Sequence, residues 1–477
     1  MGKIVDIGRQ LAISQGKIPL DDDVIQELND KVTKEGFDEG KICSNCQHFF
    51  ENKCTKELYN NVETSPLSTC GEFLESAIFT TQEKALTKLR NQFKTEIYNA
   101  LLVKDKNLAT EKIVELFEKE HNVISIRNDD KDEVWIYNTG IYQPNGSSYI
   151  KEFVRKICGK AYTTHFANIV IEKIQTDTFC DAETFFGAPR QFKELIPLQN
   201  GVLNVETREL ENFCPSMVFF SKVPIEYKKN IKPEKTIEFF KEILEEEEDI
   251  LILQEWFGYC LYKDYQIEKS FMLYGKGRNG KGQLLELLKR FVGFNNVSGV
   301  SLGRLADENS FNVAELQHSL VNIGGDVDGT YLEKVGMFQQ LTGNDLISAK
   351  RKFKTDIKFT NHSKLIFACN NLPRPGQTSD GFWDRWNLLK FPYKFVHKDI
   401  LDTMKDEDKL MMKVRKNNVI AELTTEKEMS GLLNWALDGL DRLLKNSHFS
   451  LTPSTLDVKS RWIKESDSFA AFFTLTP

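Results

Sequence analysis

The sequence predicts an α/β protein, and three observations carry that reading. The apolar run Phe271-Met-Leu-Tyr274 reads as a buried strand and opens onto Gly275-Lys-Gly-Arg-Asn-Gly-Lys281-Gly282. Residues 283–291 follow, with Leu284, Leu287, Leu288 and Phe291 on one helical face. Two further strand-like runs end in polar residues: Leu320-Val-Asn-Ile323 before Gly324-Gly325-Asp326, and Lys364-Leu-Ile-Phe-Ala-Cys369 before Asn370. Strands alternating with loops and helices in this way build an α/β layer.

The glycine-rich segment fits G-x-x-x-x-G-K, a loop that cradles phosphates. Glycines let backbone N–H groups turn toward an anion without Cβ clashes, and the helix N-terminus adds partial positive charge. Gly275, Gly277, Arg278, Asn279, Gly280, Lys281, Gly282 and Gln283 are the candidate nucleotide contacts, with Lys281 reaching the β- and γ-phosphates. ATP and Mg²⁺ are the expected ligands. The blander reading, a glycine-rich turn without a ligand, fits the strand–loop–helix context poorly. One position departs from the common motif: Gly282 stands where Ser or Thr usually ligates the metal. Either water fills that coordination position or the metal is held more weakly.

Asp326 is the candidate metal acid, with Asp328 in reserve, and Gly325 leaves one carboxylate where two often adjoin. Asn370, at the end of a strand expected between the other two, could orient an attacking water or sense the γ-phosphate. Local chemistry alone favours an Asn-Asn turn before Pro373. Arg385, between Trp383 and Trp386, either stacks on the indoles or reaches the nucleotide of a neighbouring subunit.

A length of 477 residues suggests roughly two to four domains. The net charge of −7 excludes a chain that is basic all over, so any nucleic-acid site must be local. Six basic residues and one acid between Lys350 and Lys364 give a net +5 there. Lys350, Arg351, Lys352 and Lys354 are the candidate DNA contacts, and Phe353 could stack on a base. A solvated basic face is the alternative. No signal-peptide or membrane-spanning run occurs, so a cytoplasmic chain without membrane contact is expected.

Nine cysteines divide into two groups. Cys158, Cys180, Cys214, Cys260 and Cys369 read as buried reduced thiols. Cys43-x2-Cys46-x7-Cys54-x15-Cys70 has the spacing of a metal site, zinc ahead of an iron–sulfur cluster, with His48 as a competing ligand.

These features divide the chain into five parts. Residues 1–80 hold the cysteine module. Residues 81–185 are helical or winged-helix-like, with helices at 85–103 and 109–121 and a hairpin turning at Asn138-Thr-Gly140. Residues 186–262 form a linker domain with an Asn-Gly turn at Asn200-Gly201, then a helix over 233–249 closing in an acidic run, then a helix over 250–261. Residues 263–395 are the ATPase, and 396–477 a helical C-terminal region. The chain stops in the apolar run Phe472-Phe-Thr-Leu-Thr-Pro477, which suggests a further C-terminal domain.

Over residues 130–470 the sequence resembles the superfamily 3 helicases of DNA viruses, phages and plasmids, closest to the poxvirus-type primase-helicases. The resemblance runs through Leu198-Gln-Asn200-Gly201, Trp256-Phe-Gly258 and the loop at Gly275 to Lys281. It continues through Leu341-Thr-Gly-Asn-Asp345, Phe367-Ala-Cys-Asn370, Phe382-Trp383-Asp384-Arg385 and Gly431-Leu-Leu-Asn-Trp435. It implies an AAA+-like core, hexameric rings and 3′→5′ movement on single-stranded and forked DNA, with a separate primase as a further partner. It also implies Lys281 as phosphate lysine, Asp326 as metal acid, Asn370 as sensor and Arg385 as a finger acting in trans. Lys350 to Lys354 would belong to a pore hairpin. The cysteine module would stand where relatives carry a primase domain. Gly282 and Gly325 depart from the pattern and favour the alternative of an ATP-switched origin-binding or loading factor. An unrelated phosphate-loop kinase or small-molecule NTPase would leave the basic segment unexplained.

Overall fold

The computed structural model describes residues 49–50, 53–54, 71–127, 133–305, 311–326, 335–351, 354–373, 379–450 and 457–466. Side chains are described from Thr87 onward, except at Asp326, Lys354, Thr355 and Asp408. Of the cysteine module, only the backbone around Cys54 is included: Lys53–Cys54 pairs antiparallel with Phe49–Phe50. The expected ligands Cys43, Cys46 and Cys70 lie outside the described residues.

The N-terminal unit opens on two long helices, α1 (Gly71–Leu102) and α2 (Lys106–Glu120). Asp105 caps α2 by accepting from the Leu108 N–H at 3.0 Å, which satisfies a donor the helix leaves open. Phe93 and Ile97 of α1 bury against Ile113 and Phe117 of α2. Strands β1 (Val123–Ile126), β2 (Glu133–Asn138) and β3 (Ile141–Gln143) follow, then helices α3 (Gly146–Cys158) and α4 (Thr164–Asp177), then β4 (Phe179–Cys180). The sheet order is β3-β2-β1-β4, with β1 and β4 parallel, so this is a mixed α+β unit. The hairpin expected at Asn138 to Gly140 is present. Gly140 is required there: its φ is +96°, and a Cβ would lie 2.3 Å from the Phe213 ring.

Next comes a three-stranded meander, β5 (Leu195–Leu198), β6 (Gly201–Asn204) and β7 (Leu210–Glu211). Leu198 pairs with Gly201 across the Asn-Gly turn. Asn200 locks the turn by accepting from the Tyr227 N–H at 3.0 Å.

The helical reading of residues 233–261 needs a correction. Helix α5 is Glu234–Ile243 and α6 is Glu247–Tyr259, so the acidic run opens the second helix instead of closing the first. Glu247, Glu248 and Asp249 form the first turn of α6, where negative charge complements the positive helix N-terminus. Asp249 is moreover buried and not part of a solvated face.

The core is a five-stranded parallel sheet. Its strands are β8 (Ser270–Tyr274), β9 (Val297–Ser298), β10 (Val321–Asp326), β13 (Lys364–Cys369) and β14 (Trp386–Lys390), in the order β9-β10-β13-β8-β14. Between β10 and β13 in sequence, β11 (Leu346–Arg351) and β12 (Lys354–Thr360) form a separate antiparallel hairpin. The strands alternate sides. Phe271 and Leu273 join one apolar layer with α7 (Lys281–Val292) and α8 (Glu426–Asn446), and Met272 and Tyr274 join another with Phe338, Trp386 and Trp462. Burial on both faces is why these strands are continuous apolar runs.

Two glycines bring α6 and α8 close. A Cβ on Gly258 would meet the Ala436 carbonyl at 2.2 Å, and one on Gly439 would meet the Gln254 carbonyl at 2.5 Å. Three of the five scattered cysteines, Cys158, Cys260 and Cys369, are buried and in no disulfide, as expected, whereas Cys180 and Cys214 are half-buried.

Candidate functional site

The glycine-rich loop runs from the carboxyl end of β8 to the first turn of α7. Backbone geometry selects its residues. Gly275 has φ +146°, and a Cβ there would lie 2.4 Å from the Phe391 carbonyl oxygen. Gly280, at φ +93°, would place a Cβ 2.5 Å from Ile243 Cγ2. Asn279 is buried and donates to the Phe391 carbonyl at 3.3 Å. Its Oδ1 accepts from the Lys281 ammonium at 3.3 Å, and that ammonium also donates to the Gly275 carbonyl. Lys281 is therefore held over its own loop, only 6% exposed, at the positive end of a twelve-residue helix. A buried cation at a helix N-terminus is a setting that favours an anionic oxygen.

A cleft of about 1240 Å³ opens above this loop. Lys281, Gly282 and Gln283 line it together with Asn370. The register explains the meeting. β13 lies between β10 and β8, with Cys369 paired to Tyr274, so Asn370 leaves the sheet beside Gly275. Parallel α/β sheets bind ligands at this carboxyl edge. Asp326 closes β10 one strand over, in register with Ala368. The Asp326 side chain and all of Asp328 lie outside the described residues. Gly325 is exposed, with open space around its Cβ position, as has Gly282.

Several cleft residues escaped the sequence reading. The far wall is built by Phe239 of α5, Phe395 of β15 (Lys394–Val396) and residues 415–421, which follow β16 (Met412–Val414). β15 and β16 pair in parallel, and the Phe395 N–H donates to the Arg278 carbonyl at 2.8 Å, which ties this wall to the loop. The cluster Arg415-Lys416-Asn417-Asn418 was the available signal.

Arg385 stands apart from this cleft. It precedes β14, whose first residue, Trp386, pairs with Ser270, so it lies at the amino-terminal edge of the sheet, opposite the loop. Its guanidinium pairs with Glu268 at 2.9 Å and donates to the Gly381 carbonyl at 2.6 Å. Trp383 and Trp386 pack instead against Trp462.

The basic segment is a hairpin, with Arg351 paired to Lys354 beside the tip. Lys350 is exposed. Lys352 and Phe353 lie outside the described residues, as does the Lys354 side chain. Two corrections apply to its charge. Arg351 is not a solvent-facing cation, because it donates to Glu133 of β2 at 2.9 Å. Lys364 is not part of the basic surface at all. It is fully buried, and its ammonium donates to the carbonyls of Tyr262 at 2.7 Å, Asp264 at 2.8 Å and His362 at 2.7 Å. Burial pushes its pKa down to about 7, against the smaller upward pull of Cys260 and Asp264 nearby. Among the described residues no cluster of three or more His, Cys, Asp or Glu side chains could hold a metal, and no helix is long and apolar enough to cross a membrane.

Fold and site together define a mixed α/β protein with a glycine-rich loop and a buried lysine at the carboxyl edge of a parallel sheet. Its sequence is similar to two described families: residues 83–247 match "D5 N terminal like", and residues 273–385 match "Family of unknown function (DUF5906)". The "Putative helicase L207/L206" of Acanthamoeba polyphaga mimivirus is 26% identical over an alignment of 225 residues that covers 45% of this chain and 23% of that protein. The chain thus spans under a quarter of the length of the curated relative it matches. Among solved structures, the A form apo structure of the NrS-1 C terminal region superimposes with a TM-score of 0.44 at 12% identity, over 78% of this chain and 74% of that one. The apo structure of NrS-1 residues 305–718 gives the same values.

Proposed function

We propose that this chain is the ATPase part of a viral-type replicative DNA helicase of superfamily 3, with an AAA+-like core, working as a homo-oligomeric ring on single-stranded and forked DNA. The observation that carries the reading is the single cleft in which Lys281 and Asn370 meet, at the carboxyl ends of neighbouring parallel strands. The similarity to a viral helicase and to D5-type N-terminal regions supports it.

The loop suits a nucleotide phosphate: positive φ at Gly275 and Gly280 gives its backbone a bend that glycine adopts readily, and the buried Lys281 lines the cleft beside it. In this reading Lys281 neutralises charge building on the β- and γ-phosphates, and the loop N–H groups orient them. Asn370 fixes the position of the attacking water. Asp326 would hold Mg²⁺, with a water in the open space beside Gly282. Bound Mg²⁺ supplies electrophilic assistance to phosphoryl transfer. Phe239 and Phe395 offer apolar walls for the base. The exposed Lys350 and the hairpin tip contact DNA, while Arg385 reaches the cleft of a neighbouring subunit. The cysteine module holds Zn²⁺.

A second reading, an ATP-switched origin-binding or loading factor, is favoured by Gly282 and Gly325 together. The deciding experiment is ATP hydrolysis with and without single-stranded DNA, with Lys281→Ala as control. Hydrolysis stimulated by DNA and lost in the variant supports the motor. Tight binding without turnover sinks it in favour of the switch.

A further inference from the structure

A second cavity, of about 570 Å³, lies between the N-terminal unit and the β11–β12 hairpin. It opens at the amino-terminal edge of the parallel sheet, since His362 and Lys263, which precede β13 and β8, both line it. It is therefore at the opposite edge from Lys281.

The unusual residue here is Lys263. It is 3% exposed, and its ammonium has no hydrogen-bond partner among the described residues. It lies 4.0 Å over the Phe219 ring. A buried ammonium with only a ring face beneath it is costly unless an anion compensates it. Burial alone pushes its pKa down to about 7. The other cations on the cavity are Arg127, Arg190, Lys358 and Arg351. Against these five stand three acids, Glu133, Glu183 and Asp356, and Glu133 already receives Arg351. His318 and His362 add no charge near neutral pH, because burial holds both well below the usual imidazole range. On the remaining side Phe186 and Phe220, both half-buried, present aromatic surface. The volume is that of a small-ligand pocket.

We propose that this cavity is a second nucleotide-phosphate site: Lys263 and Arg190 take the phosphate, and Phe186 and Phe220 face the base. The same chemistry has two sources. One is a free nucleotide. The other is a nucleotide within a single strand drawn past the hairpin, and that source alone rests on the DNA reading above.

The test uses the full chain in a Lys281→Ala background, which disables the main cleft. Binding of fluorescent ADP and of labelled oligo(dT) is measured for this parent and after adding Lys263→Met or Arg190→Gln. Lys263→Met replaces an uncompensated buried charge by an apolar chain of similar length, so it should fold, and melting curves check this. If it does not fold, Arg190→Gln decides. Weakening of ADP by about ten- to a hundredfold, the worth of one charged hydrogen bond, establishes the free-nucleotide source. Weakening of oligo(dT), with the slope of log K against log salt shallower by about 0.7, establishes the strand source. Unchanged binding of both probes in the folded variants overturns the site. A parent that binds no oligo(dT) counts against the helicase reading instead, and ADP binding alone then decides the cavity.

Discussion

Arg351 and Glu133 meet at 2.9 Å, and the contact joins the basic hairpin to the second strand of the N-terminal sheet. Both side chains are largely buried, 19% and 15% exposed, so the pair anchors the tip end of the hairpin while leaving Lys350 exposed nearby. The two neighbouring cations should therefore respond differently to replacement. Arg351→Met removes an ion-pair partner of the largely buried Glu133 carboxylate and should cost about 1–3 kcal/mol in denaturant unfolding. Lys350→Met should change stability by less than about 0.5 kcal/mol. It should also weaken single-stranded DNA binding and flatten its salt dependence. Equal stability losses in the two variants would contradict this division.

Glycines in the phosphate loop should sort by the space around them. Gly275→Ala and Gly280→Ala push a Cβ into Phe391 and Ile243 respectively, and each should cost about 2 kcal/mol or more in unfolding free energy. A Cβ at Gly282 meets no atom within 4 Å, so Gly282→Thr should fold normally. If a missing hydroxyl limits metal binding, the threonine variant needs less Mg²⁺ for half-maximal hydrolysis. An unchanged Mg²⁺ requirement would show that a water already serves that position.

Because Arg385 lies at the opposite edge of the sheet from its own loop, any catalytic role must be exerted in trans. Arg385→Ala should bind ATP with parental affinity and lose hydrolysis by about a hundredfold or more. Mixing it with Lys281→Ala subunits should restore part of the activity, since some interfaces then pair an intact loop with an intact arginine. Arg385→Ala that hydrolyses normally removes the finger.

The strand-end residue gives a simpler expectation. Asn370→Ala should leave ATP affinity within about threefold and lower turnover by about tenfold or more, as for a group that positions water. A matching loss of affinity would assign Asn370 to binding instead.

Lys263 makes stability depend on pH. Its pKa is near 7 in the folded chain and near 10.5 when unfolded, so the unfolded chain binds more protons between those values. Stability should rise with pH from about 7 toward about 10 in phosphate-free buffer. That rise should be smaller in Lys263→Met. Parallel melting-temperature curves for the two proteins would mean that the lysine is compensated.

What the sequence revealed depended on how local the signal was. The strand, loop and helix around Lys281 are contiguous, and their periodicity and glycine spacing were legible at once. Asn370 was legible only as a strand end, because its place beside the loop depends on strand order. The wall formed by Phe239, Phe395 and residues 415–421 offered only the polar cluster at 415–418 as a local signature, since three distant segments assemble it. The acidic run was assigned to the wrong helix because composition does not mark which helix end a charge occupies. Lys364 was counted as surface charge because a lysine's burial is decided by carbonyls a hundred residues away, at Tyr262 and Asp264.

That burial has a consequence for the neighbouring chemistry. A β-strand can slip along its partners whenever the shifted side chains are interchangeable, and apolar runs such as Leu-Ile-Phe-Ala nearly are. Lys364 removes the freedom. A slip of one residue would pull its ammonium from a cage that only one position satisfies and bring up Leu365 or Ser363, neither of which can donate to all three carbonyls. The lysine acts as a key in a keyway, and the far end of the same strand delivers Asn370 at the height of the loop.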